Sequence, residues 1–348
     1  MLYPLKFKPV YKDYVWGGRG FEKLGRKLPD GIVAESWEVS CHRNGVSIVS
    51  NGALAGSSLP DMLGLYGREL IGSSLPDRDV EKFPLLVKLI DADKNLSVQV
   101  HPGDEYAQAH EDGEYGKNEM WYIISAKPGA RLVYDVRPGT TREGFAAAVR
   151  ENKVEECLNS IEVSPGDAVY IPSGLVHAIG QGIMLAEVQQ NSDTTYRVYD
   201  YGRTDRQLHI DKALDVIDFG SAGRRGRYTG LKTSLGGTST RTIAVACGYF
   251  AVEAWDIAGH VAEYSNGDKF YIYTFTEGSG GISWKGGSEE IRGGESLLIP
   301  ASLGEYSFSG RLKGIRAYIP DIEKDIVLLL KNAGYSKEEI LKEVAGLA

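Results

Sequence analysis

Cysteine is scarce: Cys41, Cys157 and Cys247 are the only three in 348 residues, and they lie far apart in the chain. That spacing excludes a C-x-x-C metal or redox pair, and the odd count excludes a complete disulfide framework, so a reducing compartment is the simpler home. Long apolar runs are missing too. No stretch of about 18 apolar residues occurs, and the opening MLYPLKFKPVYKDYVWGGRG lacks the unbroken apolar core of a signal peptide. A cytoplasmic protein with no membrane partner is expected. Positive charge is in deficit, with 39 Lys and Arg against 47 Asp and Glu for a formal net charge of -8, which argues against nucleic acid as a partner. A local cluster of Lys and Arg can still receive an anionic small molecule.

Glycine, by contrast, is plentiful: 43 residues, well above the average share of about 7%. Tight turns joining short strands account for such a surplus. Period-2 or solidly apolar runs bounded by Gly, Pro, Asn or Asp recur at GVSIVS (45–50), PLLVKLIDA (84–92), NLSVQVH (95–101), EMWYIIS (119–125), ARLVYDV (130–136), DAVYIP (167–172) and GIMLAEVQQ (182–190). A second set follows at 241–257, 269–278, 281–284, 295–300 and 314–320. The chain reads as mainly β, with two stacked barrels or sandwiches. Helix-like pieces interrupt it at 103–110, at 140–152 behind a Thr cap, at 211–219, and in two short C-terminal pieces broken at Ala333-Gly334. The segment 221–240, rich in Gly, Ser, Thr and Arg, reads as a linker, giving domains 1–240 and 241–348.

One internal echo stands out. Gly166-Asp-Ala-Val-Tyr-Ile-Pro172 and Gly294-Glu-Ser-Leu-Leu-Ile-Pro300 match at a separation of 128 residues, which suggests duplication. Ser-Gly-Leu-Val-His177 follows the first copy, whereas Ala-Ser-Leu-Gly-Glu305 follows the second. A functional copy would therefore be the first.

Gln99 and His101 sit two apart in NLSVQVHP, so a strand puts both on one face. Glu119 opens the run EMWYIIS and can approach from a neighbouring strand, and His177 arrives from a third segment. Two imidazoles, a carboxylate and an amide oxygen suit Zn²⁺ or another borderline divalent ion. With one carboxylate, such an ion keeps net positive charge and favours an oxyanion. Lone histidines more often satisfy a core or face solvent, and spacing alone leaves both readings open. His42, His110, His209 and His260 have no such company, Trp37 and Trp121 read as core, and the Gly-rich GGRG (17–20) and EGSGG (277–281) lack a phosphate-loop Lys.

The pattern G-x5-P-x-G-x2-H, Gly166 to His177, resembles a metal-site motif of the cupin superfamily. With Gln99 in place of a His, and with FPLLVKLIDA (83–92), LSVQVHPGDEYA (96–107), GKNEMWYI (116–123), SGLVHAIG (173–180) and EVQQNSDTTYRVYDYGR (187–203), the chain closely resembles type I phosphomannose isomerases, particularly the short bacterial form. KPVYKDYVWGG (8–18) and AESWEVSCHRNG (34–45) resemble that family as well, so the likeness covers roughly residues 4–215.

The resemblance implies two cupin-like jelly-roll barrels, the second degenerate, and interconversion of mannose 6-phosphate and fructose 6-phosphate with one bound zinc ion. It makes Gln99, His101, Glu119 and His177 the zinc ligands and Arg197 the active-site arginine, and places Ser97 and Lys117 beside the phosphosugar. Independently of it, a permanently charged guanidinium suits an enediolate or a phosphate better than proton removal. Asp193, Lys117 and a metal-bound water remain open as proton carriers. A non-catalytic sugar- or metal-binding cupin is the alternative, which would not need Arg197; an iron oxygenase would ordinarily carry more His ligands.

Overall fold

The structure is a computed structural model and describes residues 2–347. It is mainly β, as expected, with every pair of strands in its sheets antiparallel. In the N-terminal part a six-stranded sheet runs in the order Ala168–Ile171, Glu119–Ala126, Ile183–Gln190, Leu85–Ala92, Glu35–Val39, Val10–Lys12. A five-stranded sheet faces it, in the order Leu158–Glu162, Arg131–Val136, His177–Ile179, Val98–Val100, Tyr196–Tyr199. Ile90, Trp121, Ile123 and Leu185 from the first sheet pack with Leu132 and Ile179 from the second in one buried core. Burying such side chains stabilises by about 1.5–3 kcal/mol each, and this joint face fixes the two sheets against one another.

The C-terminal part is a nine-stranded sheet built on the long strands Ala251–Ser265, Tyr271–Trp284 and Gly304–Tyr318. Three further pieces of chain join it, one of them Ile48–Val49, which pairs with Leu5–Lys8. The strand Leu5–Lys8 pairs with Ser296–Ile299, and Leu231–Gly236 pairs with Ser239–Ala246 across position 240. The segment 221–240 is therefore a linker only in its first half. From Leu231 its buried residues alternate, Leu231 and Thr233, and Gly236-Gly237 turns the hairpin. Helices at Asp104–His110, Arg142–Arg150 and Ile210–Val216 match the sequence reading, the second with Gly144 N–H donating to the Thr141 hydroxyl at 3.1 Å. Three more at Leu59–Tyr66, Arg68–Ile71 and Asp77–Glu81 were not expected. The first starts at a capping box, Ser58 with Asp61.

The echoed segments occupy the same place in their sheets. Gly166 and Gly294 both take left-handed backbone, φ 90° and 86°, a conformation that favours glycine. The strands that follow end opposite matching neighbours: Ile171 pairs with Glu119, and Ile299 pairs with Tyr271. Lys88 and Glu187 face each other across two strands of the first part, and Glu253 and Arg316 do so in the second. A buried ion pair is thus kept with its charges exchanged, while Tyr271 stands where the first part has Glu119.

Arg316 is held by both carboxylate oxygens of Glu253, at 2.9 and 3.1 Å, and by Glu263 at 2.9 Å, with its guanidinium 4.6 Å from the centre of the Trp255 ring. Burial alone would raise the Glu253 carboxyl, but Arg316 and Arg241 hold it below its usual range. Removing one partner of a buried pair strands the other. Arg316→Ala should therefore cost about 3–5 kcal/mol in urea unfolding, and Arg316→Met combined with Glu253→Leu should cost less than Arg316→Met alone. Because the folded Glu253 is more acidic than the unfolded one, its contribution is complete above the ordinary carboxyl pKa of 4.5 and fades as pH falls below it. A double variant no better than the single would refute the charge-pair account.

Candidate active site and metal centre

The register of the two sheets assembles the donors. His177 pairs directly with Gln99, and Glu119 enters from the opposite sheet beside Gln189. His101, Glu119 and His177 are the one group of metal-capable side chains among the described residues, their ligand atoms all within 4.8 Å of one another, and each is at most 1% exposed. Glu119 Oε2 lies 3.5 Å from His101 Nε2, its Oε1 lies 3.4 Å from His177 Nε2, and Gln99 Nε2 lies 3.3 Å from His177 Nε2. Donors bound at roughly 2.0–2.1 Å around a tetrahedral ion would be about 3.3 Å apart, so these spacings fit.

The protonation pattern fits as well. His101 Nδ1–H donates to the Thr194 carbonyl at 2.8 Å, and His177 Nδ1–H donates to the Leu175 carbonyl at 2.9 Å. Each imidazole is thereby locked with its Nε2 lone pair facing the cluster. Burial holds both rings below the ordinary histidine pKa, His177 at about 3, so they are neutral at pH 7. Burial also pushes the Glu119 carboxyl up to about 7, with the nearby Glu187 adding to the rise. Its Oε1 is buried with no hydrogen-bond partner among the described residues. Gln99 presents its amide nitrogen, and a half-turn puts the isosteric Oε1 in the same place. A cation already lies against these donors: the Lys117 ammonium donates to His101 Nε2 at 2.9 Å and pairs with Glu119. The residues present fit a divalent metal ion.

Gln99 and Lys117 connect this cluster to a cavity of about 280 Å³, which is also lined by Ser97 and Arg197. Arg197 Nε donates to the Ser97 hydroxyl at 3.1 Å, and its Nη1 donates to the Gln207 carbonyl at 2.9 Å. Its backbone exchanges hydrogen bonds with His209. Asp193 lines the same cavity and accepts from the Asn44 amide at 2.9 Å. All seven residues named from sequence thus gather at one place, with Asp193 beside them. His42 and His209 line a neighbouring cavity of about 250 Å³, His260 lies in a groove of the C-terminal part, and His110 stacks on Tyr106, ring centres 4.1 Å apart.

Sequence reasoning missed four charged residues that line the cavity, Glu35, Lys88, Glu187 and Arg206. Lys88 lies 3.2 Å from Glu187 and 3.9 Å from Glu35, and the Trp121 indole donates to Glu187 at 2.9 Å. Burial would raise the Glu187 carboxyl, but Lys88 and Lys117 keep it below its usual range and hence ionised. The signal was present: a Lys inside LLVKLIDA and a Glu inside IMLAEVQQ break apolar strands, and a buried charge needs a partner.

Fold and donor set together define a β protein with two cupin-like parts, the first of which carries a buried site for a divalent ion at the end of a polar cavity. Residues 4–123 match the family described as phosphomannose isomerase type I, catalytic domain, and residues 240–319 match the mannose-6-phosphate isomerase cupin domain. The chain is 39% identical over 321 residues to mannose-6-phosphate isomerase ManA of Bacillus subtilis, an alignment that covers 91% of this chain and 99% of that protein. It is 37% identical over 324 residues to a mannose-6-phosphate isomerase of Streptococcus mutans, with the same coverage. The crystal structure of the mannose 6-phosphate isomerase from Bacillus subtilis superposes with a TM-score of 0.82 at 32% identity, covering 91% of this chain and 99% of that one. The chain belongs to the type I phosphomannose isomerases.

Proposed function

We propose that this protein interconverts mannose 6-phosphate and fructose 6-phosphate through an enediol, with zinc as its metal. The observation that carries the reading is the convergence of a buried His–Glu–His cluster and a fixed arginine on one polar cavity, in a chain of this family. Gln99, His101, Glu119 and His177 would hold the ion. Two nitrogens and two oxygens make a borderline donor set that suits Zn²⁺. When bound, the ion supplies Lewis-acid polarisation of the sugar carbonyl.

The remaining work falls to the chain's own side chains. Isomerisation moves a proton between C1 and C2 and builds negative charge on the neighbouring oxygens. Arg197 keeps its charge at any working pH, and Ser97 and the Gln207 carbonyl hold it in one orientation, so its part is electrostatic. Lys117 and Asp193 both reach the cavity and can carry the proton, and Glu187, ionised beside Lys88, is a third such group. Ser97 and Lys117 line the same cavity, and we assign them to contacts with the sugar phosphate.

In the division of labour we propose, 1–240 is the catalytic unit and 241–348 is a degenerate cupin-like unit, completed by the strands Leu5–Lys8, Ile48–Val49 and Leu231–Gly236. No helix of the described residues is long and apolar enough to cross a membrane, and we place the enzyme in the cytoplasm. Purified protein should convert mannose 6-phosphate to fructose 6-phosphate in an assay that couples product to a dehydrogenase. Binding of the sugar phosphate with no turnover, in a folded and metal-loaded sample, would favour the binding-module reading instead.

A further inference from the structure

Asn118 separates Lys117 from Glu119, yet its side chain bonds to none of the metal donors. Its Oδ1 accepts from the Ser173 backbone N–H at 3.0 Å and from the Tyr170 hydroxyl at 3.4 Å, and its Nδ2 donates to Gln190 Oε1 at 2.8 Å. The Asn118 backbone N–H donates to the same glutamine oxygen at 2.9 Å. Gln190 Nε2 in turn donates to Asp104 Oδ1 at 2.9 Å, and that oxygen also accepts from the Gly116 N–H at 2.8 Å. Asn118 and Gln190 are both buried, and a buried amide is costly unless it is hydrogen-bonded.

This chain of bonds runs in one direction only. A carboxylate accepts and a backbone N–H donates, so Gln190 must turn its NH₂ to Asp104 and its oxygen to Asn118, and Asn118 must turn its NH₂ to Gln190 and its oxygen to Ser173. Neither amide can flip without leaving a buried group unpaired. The segments so tied are the three that bring His101, Glu119 and His177. Main-chain bonds cross the same junction, from Lys117 N–H to the Pro102 carbonyl and from Gly174 N–H to the His101 carbonyl, each at 2.9 Å. Gly116 lies so close that a side chain there would meet the Asp104 backbone nitrogen.

The need for such a tie follows from where the donors sit. Glu119 is the first residue of Glu119–Ala126, His177 is the first of His177–Ile179, and His101 lies one residue past the end of Val98–Val100. A sheet ladder therefore steadies each donor from one side only. We propose that Asn118, Gln190 and Asp104 are positioning residues of the metal centre. They hold the three strand ends together, so the affinity for the ion depends on them although none belongs to the donor cluster or lines the substrate cavity. This inference rests on the metal-dependent reading of the site and extends it to residues beyond the four donors.

The test is zinc binding to folded full-length protein, measured by competition with a chromophoric chelator. Gln190→Met keeps the length of the side chain and removes its polar atoms, and it should raise the zinc Kd about tenfold or more, the usual loss when support behind a ligand is removed. Asp104→Ala, at a half-buried position that tolerates truncation more readily, should do the same and decides the matter if Gln190→Met does not fold. Asp104→Asn keeps an oxygen that can accept both bonds, and should bring the Kd back to within about threefold of wild type. A role confined to stability would lower the unfolding temperature of the metal-free variants and leave the zinc Kd of the folded protein unchanged, which would overturn the proposal. Zinc binding by Asp104→Asn as weak as by Asp104→Ala would overturn it too. If the wild type binds zinc but does not turn over mannose 6-phosphate, the isomerase reading fails separately, and the variant affinities still decide the positioning role. A folded wild type with no affinity for zinc would refute both.

Discussion

Arg197→Ala lowers the turnover of mannose 6-phosphate by about two to three orders of magnitude, the usual loss when one preorganised donor to a developing oxyanion is removed, while metal content stays near one ion per chain. The two halves of this expected result come from different parts of the geometry. The Arg197 side chain bonds Ser97 and the Gln207 carbonyl and its backbone bonds His209, while its pairing opposite Gln99 is between backbones, which alanine keeps. Its loss therefore leaves His101, Glu119 and His177 in place. Its charge and planar donors are lost, and Arg197→Lys should restore little, because an ammonium cannot reproduce the fork that spans Ser97 and Gln207. Steady-state kinetics with metal analysis of the same samples checks both halves. Wild-type turnover in Arg197→Ala would refute the electrostatic role, and loss of metal would show that Arg197 supports the cluster instead.

The second large effect is at the metal donors. His101→Ala and His177→Ala should each lose bound metal and activity together. Each ring supplies one of only two nitrogen donors, and each is aligned by a backbone carbonyl that no alanine can use, Thr194 for His101 and Leu175 for His177. His42→Ala and His260→Ala should keep both properties, because His42 lines the neighbouring cavity and His260 lies on the C-terminal part. Metal content by mass spectrometry across the four variants separates these outcomes. Tight metal binding without His101 would contradict the ligand assignment. The stability readout differs too: a variant that cannot hold metal is expected to unfold at a lower temperature and to lose the stabilising effect of added metal.

The sequence carried the site further than it carried the packing. A spacing of two on a strand predicts that Gln99 and His101 share a face, and the P-x-G-x2-H pattern delivers His177 from a turn, so the donors were legible one by one. Their convergence depends on register, His177 opposite Gln99 and Ile171 opposite Glu119, which no local pattern encodes. Lys88 and Glu187 were hidden for the same reason. Each interrupts an apolar strand, but the partner that makes each charge tolerable lies 99 residues away across a sheet. The strand Leu5–Lys8 was equally unreadable, since its partner Ser296–Ile299 belongs to the far end of the chain. The short helices of 59–81 were missed because their apolar stretches are too brief to show a clear 3.6-residue period, although Ser58, Pro60 and Asp61 form a readable start signal. In the C-terminal part, the echo of Gly166–Pro172 located the duplicated strand correctly. The exchange of Lys88 and Glu187 for Glu253 and Arg316 became visible only once the strands were paired.

The central claim is that one divalent ion, held by the His–Glu–His cluster with Gln99, is required for isomerisation of mannose 6-phosphate. The most direct measurement is turnover of mannose 6-phosphate by wild-type protein that has been chelated and then titrated with zinc, with bound metal and fold followed on the same samples. The account predicts that activity falls to background on chelation and returns in proportion to zinc, reaching its plateau at one ion per chain. Full turnover by metal-free, folded protein would contradict it.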